Sequence, residues 1–176
     1  NQASWRPSGV ADGSPTQADV PPAVIPAVLI TEALTHTDLP LVDAIEIYNP
    51  PGVTANIGGW FLSDDFNSPK KYRIPLGTTM PPDSYRVFYE TSFNAGLPGS
   101  FRLSSLGDQA YLFSGDASTN LTGYFHGFDF GAAQNPVAFG RYVTSIGAEH
   151  FVAQSVNTLG AANAGPRVGP VVINEI

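Results

Sequence analysis

Nowhere in this chain do apolar side chains recur at the three- and four-residue spacing of a buried helical face for more than about ten residues. Apolar or alternating runs instead last only a few residues: Val28 to Ile30, Ala44 to Tyr48, Trp60 to Leu62, Tyr72 to Ile74 and Tyr85 to Tyr89. Phe101 to Leu103, Ala110 to Phe113, Tyr124 to Phe130, Val137 to Val143 and Phe151 to Val152 follow. Between them lie turn-forming groups such as Asn49-Pro50-Pro51-Gly52, Gly58-Gly59, Asp65-Phe66-Asn67-Ser68-Pro69 and Pro81-Pro82-Asp83. Segments that short bury a face only as strands, so the chain reads as all-β, an antiparallel sandwich of about nine or ten short strands.

Strand alternation assigns faces. In Asp43-Ala44-Ile45-Glu46-Ile47-Tyr48, Ile45 and Ile47 share one side while Glu46 and Tyr48 share the other. Ile45, Ile47, Trp60 and Leu62 are therefore expected in the core, and Glu46 is expected in solvent. With 176 residues there is room for one such domain and its flanks.

The flanks carry a repeat. Val171-Val172-Ile173-Asn174-Glu175-Ile176 repeats Val28-Leu29-Ile30-Thr31-Glu32-Ala33 at an offset of 143 positions, and Thr158 to Asn163 corresponds loosely to Ser14 to Asp19 at 144. Two registers that agree within one residue imply tandem modules. The expected division is a linker or the tail of a preceding module over 1–26, a sandwich over 27–157, a linker over 158–170, and the first strand of a following repeat over 171–176. Further repeats and neighbouring domains of the same chain are then its first expected partners.

Charge and composition narrow the function. Eight basic residues face fifteen acids, for a formal net charge of -7, so nucleic acid is repelled at long range and is not an expected partner. With no cysteine there is neither a disulfide framework nor a thiolate metal site. No apolar run is long enough to span a membrane. His36, His126 and His150 lack metal-ligand spacing, and no nucleophile elbow occurs, so no catalytic residue, cofactor or enzyme activity is expected.

Several motifs in one order resemble the lamin tail domain in its bacterial form. Val28-Leu29-Ile30-Thr31-Glu32 stands for V-x-I-N-E, Ala44-Ile45-Glu46-Ile47-Tyr48-Asn49 for F-I-E-L-Y-N, and Ile57-Gly58-Gly59-Trp60-Phe61-Leu62-Ser63-Asp64 for L-S-G-W-x-L-x-D. Tyr72-Arg73-Ile74-Pro75-Leu76-Gly77-Thr78 and Pro81-Pro82-Asp83-Ser84-Tyr85-Arg86-Val87 continue the series, with Asp83 and Ser84 where the pattern has two glycines. The resemblance implies an immunoglobulin-like antiparallel β-sandwich. It also implies a non-catalytic structural or interaction module of a larger exported bacterial protein, placed outside the cell or on its surface. The alternative is a ligand-binding accessory domain of an attached extracellular enzyme, recognising polysaccharide or nucleic acid; a protein or glycan is the expected ligand of either reading.

Two sets of residues are candidate sites. Asp64, Asp65 and Asn67 could offer oxygens to calcium, or could simply cap a turn. Phe61 with Lys70, Lys71 and Arg73 could form a ligand face. Tyr48, Tyr85, Tyr89, Phe125 and Phe128 are further aromatics that alternation could send outward.

Overall fold

The computed structural model describes residues 24–169. The proposed strand at 171–176 and most of the proposed linker at 1–26 therefore lie outside the described residues. Eleven strands and one helical turn follow in order. They are β1 (Leu29–Leu34), β2 (Ala44–Asn49), β3 (Ala55–Asn56), β4 (Phe61–Ser63), β5 (Tyr72–Arg73), β6 (Thr79–Met80) and β7 (Ser84–Tyr89). After α1 (Glu90–Phe93) come β8 (Gly107–Gly115), β9 (Leu121–Gly131), β10 (Phe139–Val143) and β11 (Glu149–Ala153). One sheet has the order β11-β10-β1-β2-β7, a second β5-β4-β8-β9, and β3 pairs with β6. Every pairing is antiparallel.

The expected core holds. Ile45, Ile47 and Leu62 are fully buried and Trp60 is 3% exposed, within one cluster that joins Ile30 and Phe88 of the first sheet to Ala110, Leu112, Phe128 and Phe130 of the second. Each large aliphatic side chain sealed there contributes about 1.5–3 kcal/mol. The long strand β9 also closes one flank of the sandwich by reaching the first sheet. Tyr124 donates to the Val28 carbonyl at 2.8 Å, and the Ile30 N–H donates to His126 Nδ1 at 2.9 Å. Beyond these, Phe128 stacks on Phe151 of β11, ring centroids 3.8 Å apart.

One irregularity sets the faces of the first sheet. Ile30 pairs with Ile47 and Glu32 with Glu46, so Thr31 is the extra residue of a bulge. Strict alternation would have put Ile30 and Glu32 on the same, inner face. The bulge turns Glu32 outward while Ile30 and Ala33 stay in the core. Asp83, in place of an expected glycine, takes a left-handed φ of 55° and its carboxylate accepts the Tyr48 hydroxyl at 2.8 Å. Aspartate is among the residues that tolerate that region, so the turn survives the exchange.

The bulge makes a testable demand. Deleting Thr31 takes out the extra residue, so Ile30 stays inward and Glu32 outward on a regular strand, and the variant loses the Thr31 hydroxyl bond to Glu46 and the carbonyl that Asn163 holds, at about 1–3 kcal/mol. The deletion variant is expected to keep one cooperative urea transition by tryptophan fluorescence, at a lower midpoint than the native chain. Thr31→Ala, which loses the hydroxyl but keeps the extra residue and the carbonyl that Asn163 holds, is expected to lower the midpoint less.

Candidate functional site

The outer face of the five-stranded sheet holds two acids that meet no water. Glu32 of β1 and Glu46 of β2 are register partners, and both are 0% exposed. Glu46 lies on the outer face as alternation requires, but it is not in solvent. Residues 157–163, inside or next to the stretch expected to be a linker, lie across it as a strap. Asn157 anchors the strap, accepting the Ala138 N–H at 2.9 Å and donating to the Pro136 carbonyl at 2.7 Å. Thr158 donates to Glu32 through its N–H at 3.0 Å and its hydroxyl at 2.6 Å. The Gly160 N–H donates to Glu46 Oε2, and Thr31 donates to Glu46 Oε1 at 2.7 Å. Asn163 finishes the strap with bonds from Nδ2 to the carbonyls of Thr31 at 2.7 Å and Arg141 at 3.0 Å.

Packing supports these bonds. Leu159 sits on an outer-face cluster of Leu34, Ala44 and Ala138, with Val87 beside it. Gln154, 2% exposed, lays its side chain on Gly140, where a Cβ would come within 2.2 Å of it. The same Gln154 meets Thr158 Oγ1 at 3.3 Å. Since the single hydroxyl proton already serves Glu32, the amide reads better turned about, its nitrogen donating into that oxygen. A chain of donors then runs from Gln154 through Thr158 to Glu32.

Among the described residues no cation pairs with the two carboxylates. Burial, opposed by the bonds from Gly160 and Thr31 and reinforced by the nearby Glu32, pushes the Glu46 carboxyl up from 4.5 to about 7. Thr31 suits either state, because its hydroxyl can donate to the carboxylate or accept from the acid. His126 lies between the sheets with Nδ1 accepting the Ile30 N–H, so its proton sits on Nε2, 3.4 Å from Glu149. Burial pushes its pKa down.

The proposed calcium residues are held as a turn. Asp64 is ion-paired with Lys71, and Asp65 Oδ1 accepts the Asn67 N–H at 2.8 Å. Bonds from the Ser68 side chain and from that N–H hold the Asp65 carboxyl below its usual value. Ser63 fastens the turn by donating to the Ser68 carbonyl at 2.8 Å. Among the described residues no three acidic, histidine or cysteine side chains converge.

The proposed ligand face does not assemble. Phe61 is 3% exposed, its ring edge 2.9 Å from where a Cβ on Gly115 would lie. Arg73 donates to the carbonyls of Asp116 at 3.2 Å and Ala117 at 2.7 Å, and Lys71 is taken by Asp64. Lys70 alone of the four is exposed. Phe128 is also buried, whereas Tyr89 and Phe125 reach solvent.

A different aromatic surface is open on that sheet. Phe66 leaves the polar turn and makes edge contacts with Tyr111 and Phe125, both at 5.1 Å between centroids. Phe66 is 40% exposed and Phe125 51%. With Pro69, Phe113, Leu121 and Tyr124 they line an apolar groove of about 250 Å³. Sequence reading named Phe125 but missed Phe66, whose signal was a lone phenylalanine among turn-forming polar residues.

Two packed antiparallel sheets, a core of alternating strand residues and sealed acids define an immunoglobulin-like β-sandwich module. More narrowly, the chain belongs to the Lamin Tail Domain family, whose model matches residues 21–126, and that family is one of structural rather than catalytic domains. Neither a curated protein nor a solved structure matches the chain.

The Glu46 environment predicts a pH dependence. A carboxyl whose folded pKa lies above its unfolded value gives stability that is complete below about 4.5 and lost as pH rises through about 7. At about 1.4 kcal/mol per unit, that amounts to on the order of 3 kcal/mol. Glu46→Gln, neutral throughout, is expected to gain on the native chain between pH 5 and pH 8 by roughly this amount in urea titrations. An unchanging difference between the two would refute the assignment.

Proposed function

We propose that this chain is a structural and interaction module, without catalysis of its own, in a larger exported bacterial protein that carries further copies of it. The observation that carries this reading is the use made of its acids. Glu32 and Glu46 are the only fully buried carboxylates among the described residues, and both are sealed beneath the strap, where no substrate reaches them. A general acid or base must lie within hydrogen-bond reach of the group it serves. The family and the offset of 143 positions between Val28 and Val171 support the modular part.

A second reading has the groove in its favour. Phe125 and Phe66 present partly open ring faces, which could stack on a sugar of an extracellular polysaccharide. The weakly polar lining counts against it, because sugar recognition also needs hydrogen-bonding side chains around the ring. Nucleic acid is disfavoured further, with Lys71 and Arg73 already bonded within the chain.

Affinity electrophoresis through soluble polysaccharides of different backbones, with a DNA shift assay beside it, separates the two. No saturable retardation is expected in either. Retardation by one polysaccharide that disappears in Phe125→Ala would overturn the structural reading in favour of the glycan-binding one.

A further inference from the structure

The β11 edge of the five-stranded sheet is capped by the segment that follows it in the chain. Ser155 donates to the Gly165 carbonyl at 3.1 Å, Gln154 bridges Pro166, and the Arg167 N–H donates to Ala153 at 2.8 Å. The chain is thus still fastened to this module at Arg167. The repeat offset that sets Val171 on Val28 also sets Val168 on Ile25 and Arg167 on Val24. Ile25 packs against the core of its own module, while Val168 is 87% exposed here.

No residue remains to act as a spacer. The last residue fastened to one module and the first that would pack into the next are neighbours in sequence, about 3.8 Å apart at Cα. A flexible joint needs several free residues, since its reach grows as the square root of their number. The surface at the entry to the module fits a close neighbour. Val24 and Val53 are 94% and 70% exposed, and with Pro26, Thr54 and Asn56 they line a cleft of about 440 Å³. On the other side, Val156, next to the residue that holds Gly165, is 64% exposed.

We infer that successive modules abut without a linker, the entry face of one around Val24, Pro26 and Val53 seated against the capped β11 edge of the module before it. The occupant of that face is a second copy of this module in the same chain. The inference rests on the tandem reading proposed above. Its consequence is a stiff array, in which the orientation of each module is passed to the next.

The test is a two-module protein, this chain continued after Ile176 by residues 34–169 of its own sequence. Nitrogen-15 relaxation is expected to give both modules one shared rotational correlation time, roughly twice that of the single chain or more. Six glycine and serine residues inserted between Arg167 and Val168 should return each module towards its own shorter value. Val53→Glu in the second module should do the same, and in the first module should leave the shared value unchanged. Independent tumbling of the uninterrupted protein, with both modules folded, overturns the abutment and leaves the tandem reading standing. If dispersed amide resonances appear for only one module, the tandem reading fails and this inference with it.

Discussion

Two carboxylates on neighbouring strands, both out of water and, among the described residues, neither paired with a cation, set the terms for the rest of this structure. Burying a charged acid costs several kcal/mol unless donors replace the lost water. Glu32 and Glu46 obtain theirs from Thr158, Gly160 and Thr31. The strap is therefore a condition of the first sheet's outer face, and the bulge at Thr31 is a condition of the strap, because it places Glu32 where Thr158 can reach it. The polar requirement then reaches further along the chain. Asn157 and Asn163 hold the two ends of the strap to backbone carbonyls, and Gly140 leaves room for the Gln154 side chain beside Thr158.

The second sheet solves a different problem. Its outer face carries Phe61, Phe113, Tyr111 and Phe125, more aromatic surface than a solvated sheet face usually shows. The turn after β4 folds back so that Phe66 lies against three of those rings. Asp64 and Lys71, and the Asx turn at Asp65, hold that turn in place. Acids that looked available for a cation thus serve to position a hydrophobic cover. What stays open is the far edge of the cover, around Phe125 and Leu121.

The core was legible in the sequence because periodicity reports directly which residues share a face. Ile45, Ile47, Trp60 and Leu62 needed only the two-residue repeat. Periodicity assigns a face but not what covers it, so it put Glu46 outward and could not tell that a distant segment seals it. The strap hid for the same reason. Thr158-Leu159-Gly160-Ala161-Ala162-Asn163 has the composition of a linker, and its ties to Glu32 and Glu46 span 126 and 114 positions. Phe61 failed as a ligand residue because alternation counted it outward without the layer above. Thr31 is the subtlest case, since a bulge changes the phase of a strand without changing its composition.

The match to the family ends at residue 126, inside β9, and so includes both carboxylates but none of the strap that serves them. Within the matched part alone, Glu32 and Glu46 would be acids on an open, hydrated sheet face. The strap turns the same residues into a closed polar layer and raises the cost of charging Glu46. Closing that layer also fixes where the chain runs next, because Asn163, bonded to Thr31 and Arg141, delivers Gly165 and Arg167 to the free edge of β11. One carboxylate pair thereby joins three features that sequence position keeps far apart: the phase of the first strand, the covering of the outer face and the capping of the sheet edge.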